Sequence, residues 1–430
     1  MKYYSTNQQS PAVDFREATI NGQAPDKGLY FPEKIPVIDP DLISNMEKYS
    51  DEEIASRVIM PYTGESIPGD KLMQIVKETI SFPIPLIRLD ESVFSLELFH
   101  GPTLAFKDIG ARFMSRCLGY FVKDVDKKVT VLVATSGDTG GAVASGFYNV
   151  DGIEVVILYP SGKVSPVQEK QLTTLGKNIH ALEIEGTFDD CQQMVKNAFI
   201  DDEIKKKRFL TSANSINVAR WLPQQFYYFF AYKQWPDKNN PPVISVPSGN
   251  FGNICAGLLA FHSGLPVQHF IAACNSNDVI PEFMRTQKFE SKKAVPTLSN
   301  AMDVGNPSNF IRILEIFNHQ FPALEKMMSA VSISDVETIA AISDLYHRYN
   351  YIPDPHGAVG WLALKRWLED HEGTKGIFLE TAHPVKFPEA VEKYTGKKVD
   401  MPITVQEIMK SEKISIKMKP ACEELKNYLL

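Results

Sequence analysis

The sequence lacks the features that define several protein classes. Its five cysteines (Cys117, Cys191, Cys255, Cys274 and Cys422) are scattered through 430 residues without a CxxC pair, which excludes a disulfide framework and argues against a zinc site. They read as reduced, mostly buried thiols. The nine histidines form neither HExxH nor HxH, so no protein metal centre is expected. Positive charge is in deficit, with 45 Lys and Arg against 52 Asp and Glu for a net −7, which excludes a nucleic-acid binder working through bulk basicity. No apolar run reaches the roughly 18 residues of a spanning helix, and MKYYSTNQQSPAVDF has no apolar core of a secretion signal. A cytoplasmic protein that engages neither membrane nor nucleic acid is expected. Internal repeats and low-complexity tracts are also missing.

What is present is chain enough for two or three domains at roughly 150 residues each. Apolar, β-rich runs alternate with helical patterns: Val129 to Thr135, Ile153 to Pro160, Asn178 to Ile184, Val243 to Pro247, His269 to Asn275 and Gly376 to Thr381. VTVLVAT and EVVILYP are apolar at nearly every position, as strands covered on both faces are, and the intervals between runs are long enough for crossover helices. The pattern predicts an α/β fold with parallel sheet. Before about Glu97 the chain reads differently, with Pro-rich turns (GLYFPEKIPVIDP, SFPIPL), and PDKNNPP at 236–242 suits a passage between units. The expected division is an N-terminal element 1–96, a first α/β domain 97–240 and a second 241–430. The lysines 205–207 read as a solvated helix end, and FYYFF at 226–230 as a buried helix.

Three segments carry chemistry. Ser248, Gly249, Asn250, Phe251, Gly252 and Asn253 follow the strand VISV and precede the helical run ICAGLLAFHSG. Two glycines permit a tight turn of converging amides at a helix N-terminus, which is either a phosphate cradle or a plain strand-to-helix turn. It is neither GxGxxG nor a P-loop with its lysine, so dinucleotide and nucleoside triphosphate readings lose support. Thr135, Ser136, Gly137, Asp138 and Thr139 form a second such loop, whose hydroxyls suit a carboxylate or another anion; an N-cap turn is the alternative. Lys107, flanked by Leu104, Ala105, Phe106 and Ile109, either snorkels to the surface or is held inside as a low-pKa amine. Together, a buried amine, a phosphate cradle and a hydroxyl-rich anion loop are the parts a pyridoxal phosphate enzyme needs.

The stretches ELFHGPTLAFKDIGARFM, ATSGDTGGAVA, ILYPSGKVSPVQEKQLTTLG, SANSINVARWLPQ, VPSGNFGN, LSNAMDVGNPSN and TAHPVKF, with GLYFP near the start, closely resemble the threonine synthases of the bacterial and fungal subgroup, in order along nearly the whole chain. The resemblance implies the fold-type II architecture of pyridoxal phosphate enzymes, like the β subunit of tryptophan synthase, with two parallel-sheet α/β domains and an N-terminal element. It implies a lyase, monomeric or homodimeric, that turns O-phospho-L-homoserine and water into L-threonine and phosphate. Carried over residue by residue, Lys107 matches the cofactor lysine, Ser248 to Asn253 the loop for the cofactor phosphate, and Thr381 the hydroxyl facing the pyridine nitrogen. Thr135, Ser136 and Thr139 match the substrate-carboxylate loop, and Asn214, Ser215 and Arg220 the group for the leaving phosphate. Asp138 stands where many fold-type II enzymes place an asparagine beside the cofactor's phenolic oxygen, and a carboxylate there needs a shared proton or a nearby cation. Lys163 and Lys170 read as exposed lysines and His100 as a structural hydrogen-bond partner. Another fold-type II eliminase, such as a threonine or serine dehydratase, and a non-catalytic anion-binding relative are the competing readings.

Overall fold

Consecutive apolar, largely β-branched residues form strands buried on both faces, because a chain with no polar face can pair only inside a covered sheet. The computed structural model describes residues 1–123 and 129–430, and in chain order its strands are β1 Tyr3–Ser5, β2 Tyr30–Pro32, β3 Leu86–Arg88, β4 Val93–Glu97, β5 Val129–Ala134, β6 Ile153–Pro160, β7 Ile179–Ile184, β8 Phe209–Thr211, β9 Val243–Pro247, β10 His269–Cys274, β11 Met328–Ser332, β12 Gly376–Glu380 and β13 Ile416–Met418. Every residue of β5, β6, β9, β10 and β12 is buried. β1 and β2 pair antiparallel by themselves. The larger sheet has the order β11-β10-β9-β12-β4-β3, parallel except for the antiparallel edge pair β3 and β4. The second, β13-β7-β6-β5-β8, is parallel throughout. This is the α/β fold with parallel sheets that the apolar runs predict.

Sheet membership cuts across the division 1–96, 97–240 and 241–430. β4, at residues 93–97, joins the larger sheet beside β12, and β13, some 230 residues after β7, closes the edge of the smaller one. These short strands pair wherever an edge is open, which chain order does not determine. The pairing of β4 with β12, from Val93 opposite Gly376 to Glu97 opposite Glu380, also sets the geometry beyond it. Leu98 N–H donates to Glu380 O at 2.9 Å, Phe106 N–H to Thr381 O at 2.9 Å, and Ala105 bridges Ala382. Lys107 and Thr381, far apart in sequence, are thereby stitched together.

Helices pack on both sheets. The helix Gln225–Gln234 carries Phe226 to Phe230, all buried, as the aromatic density predicts. Lys205, Lys206 and Lys207 are exposed in the last turn of the helix Asp202–Lys207, where cations complement the dipole. Four of the free cysteines are buried and Cys422 is exposed. Among the described residues no helix is long and apolar enough to cross a membrane.

Candidate functional site

The residues singled out from the sequence lie just beyond the carboxyl ends of parallel strands, where open α/β sheets place their ligand crevices. Ser248 to Asn253 follow β9, Thr381 follows β12, Thr135 to Thr139 follow β5, and Asn214 to Arg220 follow β8. Lys107 opens the helix Lys107–Phe121.

The Lys107 side chain is 16% exposed, and its Nζ lies 3.9 Å from Asp138 Oδ2 and 4.7 Å from the centre of the Phe106 ring. It is held inside and does not snorkel away. Burial lowers the amine below its ordinary value of 10.5; Asp138 opposes this, and the cations Lys386 and Arg220 add to it. Asp138, whose direction the sequence leaves open, points inward. Its Oδ1 accepts from Lys386 Nζ at 2.9 Å and from Gln168 Nε2 at 3.0 Å. Burial alone would raise this carboxyl, but Lys386, Lys107 and the hydrogen bonds from Lys386 and Gln168 outweigh it and hold the group well below the usual carboxylate range. The nearby cation that a carboxylate requires here is therefore present. Lys386 is fully buried in the short 3-10 turn Pro384–Lys386.

Lys386 escapes sequence reading although TAHPVKF contains it five residues after Thr381. A lysine in a run of ordinary polarity reads as exposed. The signal that marks it is its place in a motif whose other hydroxyl and imidazole groups also face inward, with Thr381 and His383 at low exposure.

The loop Ser248 to Asn253 is tight for a reason other than glycine flexibility. The left-handed residue is Phe251, at φ +62°, while Gly249 provides space: a Cβ there would lie 2.6 Å from Met302 Cα. Ser248 Oγ–H donates to Val246 O and Asn253 Nδ2–H to Pro247 O, which pins both ends of the turn. Backbone amides at the N-terminus of the helix Gly252–His262 remain for an anion. Gly249→Ala should therefore cost about 1–3 kcal/mol of stability through overpacking and speed cofactor loss on dialysis. Gly252→Ala, whose Cβ meets nothing nearer than Asn309 Nδ2 at 3.4 Å, should be tolerated. Equal retention by the two variants would mean the turn does not need its shape.

In the second loop, the three expected carboxylate hydroxyls divide. Thr135 Oγ1 accepts from Gly137 N at 3.0 Å and Gly140 N at 2.9 Å, so it shapes the loop, while Ser136 and Thr139 keep hydroxyls without a protein partner among the described residues. The cap of the helix Asp138–Phe147 is Gly137 at φ +137°, where an added Cβ would also strike Gln168; neither Asp138 nor Thr139 serves as the cap. Thr381 is buried, and its hydroxyl likewise has no partner among the described residues. Arg220 is buried; Nη1 donates to Ala213 O at 2.6 Å, but among the described residues Nε has no hydrogen-bond partner. Burial pushes its guanidinium down to about 10. Among the described residues the Asn214 side chain has no hydrogen-bond partner, whereas Ser215 Oγ accepts from Asn250 and Asn309. Lys163 is exposed, Lys170 reaches Ser411 O, and His100 pairs with Glu97 at 2.7 Å.

Lys107, Lys386 and Arg220 act on one another, and Asp138 is the carboxylate that pairs with the two lysines. Two further buried carboxylates, Asp354 and Asp108, act on the same cluster from farther off. An amine, a glycine-spaced amide cradle, an unpartnered guanidinium nitrogen and a free hydroxyl on Thr381 fit a phosphorylated aldehyde cofactor with an anionic substrate beside it.

Fold and site together define a pyridoxal phosphate enzyme of fold type II, and residues 79–378 match the family described as pyridoxal-phosphate dependent enzyme. Residues 2–80 match the threonine synthase N terminus and residues 357–429 the threonine synthase C-terminal family. The chain belongs to the threonine synthase family, and its cofactor is pyridoxal phosphate. It is 44% identical to threonine synthase of Serratia marcescens over 94% of this chain and 92% of that protein, and 44% identical to that of Escherichia coli K12 over 94% and 93%. The crystal structure of threonine synthase from Escherichia coli superposes with TM-score 0.92 at 42% identity, covering 100% of this chain and 99% of that one. The structure of pyridoxal phosphate-bound threonine synthase from Brucella melitensis gives 0.93 at 34%, covering 100% and 98%. Maize serine racemase, 16% identical with TM-score 0.55 over 81% and 94%, shares the fold alone.

Proposed function

We propose that the chain is a cytoplasmic lyase that converts O-phospho-L-homoserine and water to L-threonine and phosphate. The observation that carries this is Arg220, a buried guanidinium close enough to Lys107 to lower its amine, whose Nε has no partner among the described residues. A second anion site next to the amine is what a phosphate leaving group requires and a dehydratase does not. The division 1–96, 97–240 and 241–430 is kept as a proposal for the order of modules along the chain, not for the sheets.

Ser248 to Asn253 would hold the cofactor phosphate, Lys107 its aldehyde carbon, and the Thr381 hydroxyl its ring nitrogen. When bound, pyridoxal phosphate supplies an electron sink for charge developing on the substrate's carbon atoms. Lys107 Nζ, lowered by burial, would take the proton from the α carbon and then one from the β carbon; after phosphate has left, one proton goes to the γ carbon, water bonds through its oxygen to the β carbon and releases a proton, and a proton returns to the α carbon as threonine forms. One amine serves both carbons because it stays fixed on a helix end beside them. Asp138, ionised between Lys386 and Lys107, orients that amine. Arg220, with Asn214 and Ser215, would stabilise the charge that accumulates on the phosphate as the bond between the γ carbon and its oxygen breaks and phosphate leaves with that oxygen. Ser136 and Thr139 would receive the substrate carboxylate at the N-terminus of the helix Asp138–Phe147, and Thr135 holds that loop in shape.

The direct test follows phosphate and threonine together after O-phospho-L-homoserine is added to purified protein. Equimolar release supports the reading; phosphate with 2-oxobutyrate would assign the chain to the eliminases. Arg220→Lys keeps the charge and loses the planar fork. It should cost about 2–3 kcal/mol of transition-state stabilisation with the phosphorylated substrate, while covalent exchange with L-serine, read from the absorbance, stays near normal. Equal losses in both would assign Arg220 to the fold.

A further inference from the structure

Arg312 is fully buried, makes no ion pair among the described residues, and lies over the Trp221 ring at 4.4 Å. It donates from Nε and Nη2 to Tyr30 O, from Nη2 to Ile216 O at 2.6 Å, and from Nη1 to Ser215 O at 3.3 Å and Asn309 Oδ1 at 2.8 Å. A guanidinium has no acceptor. The atom of Asn309 that faces it must therefore be the carbonyl oxygen, which fixes the orientation of an amide that is otherwise ambiguous. The Asn309 Nδ2 end then donates to Ser215 Oγ at 3.1 Å and to Asn250 O at 3.1 Å.

Asn250 is fixed in the same way from the other side. Its Oδ1 accepts from the backbone N–H of Ser308 at 2.7 Å, and a backbone N–H can only donate. Its Nδ2 is left to donate to Ser215 Oγ at 2.6 Å. Two amides thus fill both lone pairs of the Ser215 hydroxyl. Its hydrogen has no protein acceptor among the described residues and is left to point away from both amides.

We propose that Arg312, through Asn309, is a positioning residue that with Asn250 makes Ser215 an obligatory hydrogen-bond donor, committed to a phosphate oxygen at the junction of the two loops. This deepens the proposed function and rests on it for the identity of the ligand; the chemistry alone calls for a phosphate, from either the cofactor or the substrate. A hydroxyl without such neighbours rotates to donate or accept. One locked as a donor favours an oxyanion and disfavours an ammonium or another donor. Tyr30 of GLYFP, near the start of the chain, belongs to the same chain of bonds by accepting from Arg312.

The test is a double-mutant cycle between Ser215→Ala and Asn309→Asp on the cofactor-loaded protein. Aspartate keeps the shape and the bond from Arg312 but must accept from Ser215, which turns the hydroxyl hydrogen inward. Two quantities are read: affinity for inorganic phosphate, which reports the substrate side, and cofactor retention on dialysis, which reports the cofactor side. Ser215→Ala should lose about ten- to hundredfold in one of them, the range for a hydrogen bond to a charged group, and the arm that responds identifies the phosphate. Asn309→Asp should lose at least as much in the same arm. In the Ser215→Ala background it should add no more than about twofold. KM and kcat for O-phospho-L-homoserine, read on the same four proteins, should show the same pattern in KM if the substrate arm responds. Equal losses from Asn309→Asp in both backgrounds would assign its effect to charge or fold and overturn the proposal, as would Ser215→Ala without effect in either arm. If Asn309→Asp does not fold, Asn250→Asp makes the same inversion and closes the same cycle. Because phosphate binding is read without turnover, a protein that makes no threonine would defeat the proposed function and leave this result standing.

Discussion

Lys107→Ala should yield a folded protein that still holds pyridoxal phosphate non-covalently yet turns over at least about 10⁴-fold more slowly. Two functions vanish with one amine. The covalent anchor goes because Lys107 is the amine that the hydrogen bond from Phe106 to Thr381 O brings into the site. The proposed base goes with it, because the nearby Lys386 is bonded to Asp138 and Arg220 remains a cation at about 10. Retention should fall less than turnover, since the amide loop and its helix N-terminus are untouched. Borohydride treatment followed by peptide mass spectrometry checks the anchor. A reduced adduct on Lys107 in the parent, and none on any lysine of the variant, is the expected pair of results; an adduct of unchanged yield on another lysine would move the assignment there.

Lys386→Met should be the most destabilising of the single changes, because it strands Asp138 in a buried place without its nearest cation. Removing one partner of a buried pair costs about 3–5 kcal/mol. The loss should depend on pH in a definite direction. Asp138 has a folded-state pKa below its ordinary value of 3.8, so its contribution in the parent is fully present above that value and fades as the pH falls through the depressed one. In the variant, burial dominates and raises the same carboxyl, so acid relieves the strain by protonating it. The stability gap between parent and variant should thus be widest near pH 7 and narrow toward pH 4. Urea unfolding of the cofactor-free proteins at both pH values measures it, and a gap independent of pH would mean that Lys386 acts through packing alone.

The sequence discloses long features better than short ones. VTVLVA, IEVVILYP and VISVP give strands at the predicted residues because nearly every position is apolar, as in strands covered on both faces. β3, β8 and β13 have three residues each, too few for periodicity to register, and their membership depends on which sheet edge is open. The candidate site shows the same limit. Lys107 and the two anion loops are legible because each is a local pattern, strand, turn and helix in succession. Lys386 against Asp138, and Arg312 against Tyr30 O, are contacts across 248 and 282 residues; nothing local announces them. In the Ser248 to Asn253 turn the two glycines do not play the part their type suggests, since Phe251 takes the left-handed conformation and Gly249 makes room for a neighbouring backbone.

The late arrival of β13 at the edge of the smaller sheet bears on how the chain is made. Some 232 residues separate Ile184 from Ile416, so at about 5–20 residues per second the ribosome needs about ten to fifty seconds to supply the strand that covers β7. During that interval β7 offers an open row of backbone donors and acceptors, the kind of edge on which nascent chains adhere to one another. Glu183, in the middle of the β7–β13 pairing, places a charge there from the beginning, before Lys413 arrives to neutralise it at 2.7 Å. Held in the finished fold by that lysine and by Ser161, which outweigh its burial, the carboxylate stays ionised down to about 2. The residue that becomes an internal ion pair in the mature protein thus serves first, on the half-made one, as a guard against sticking.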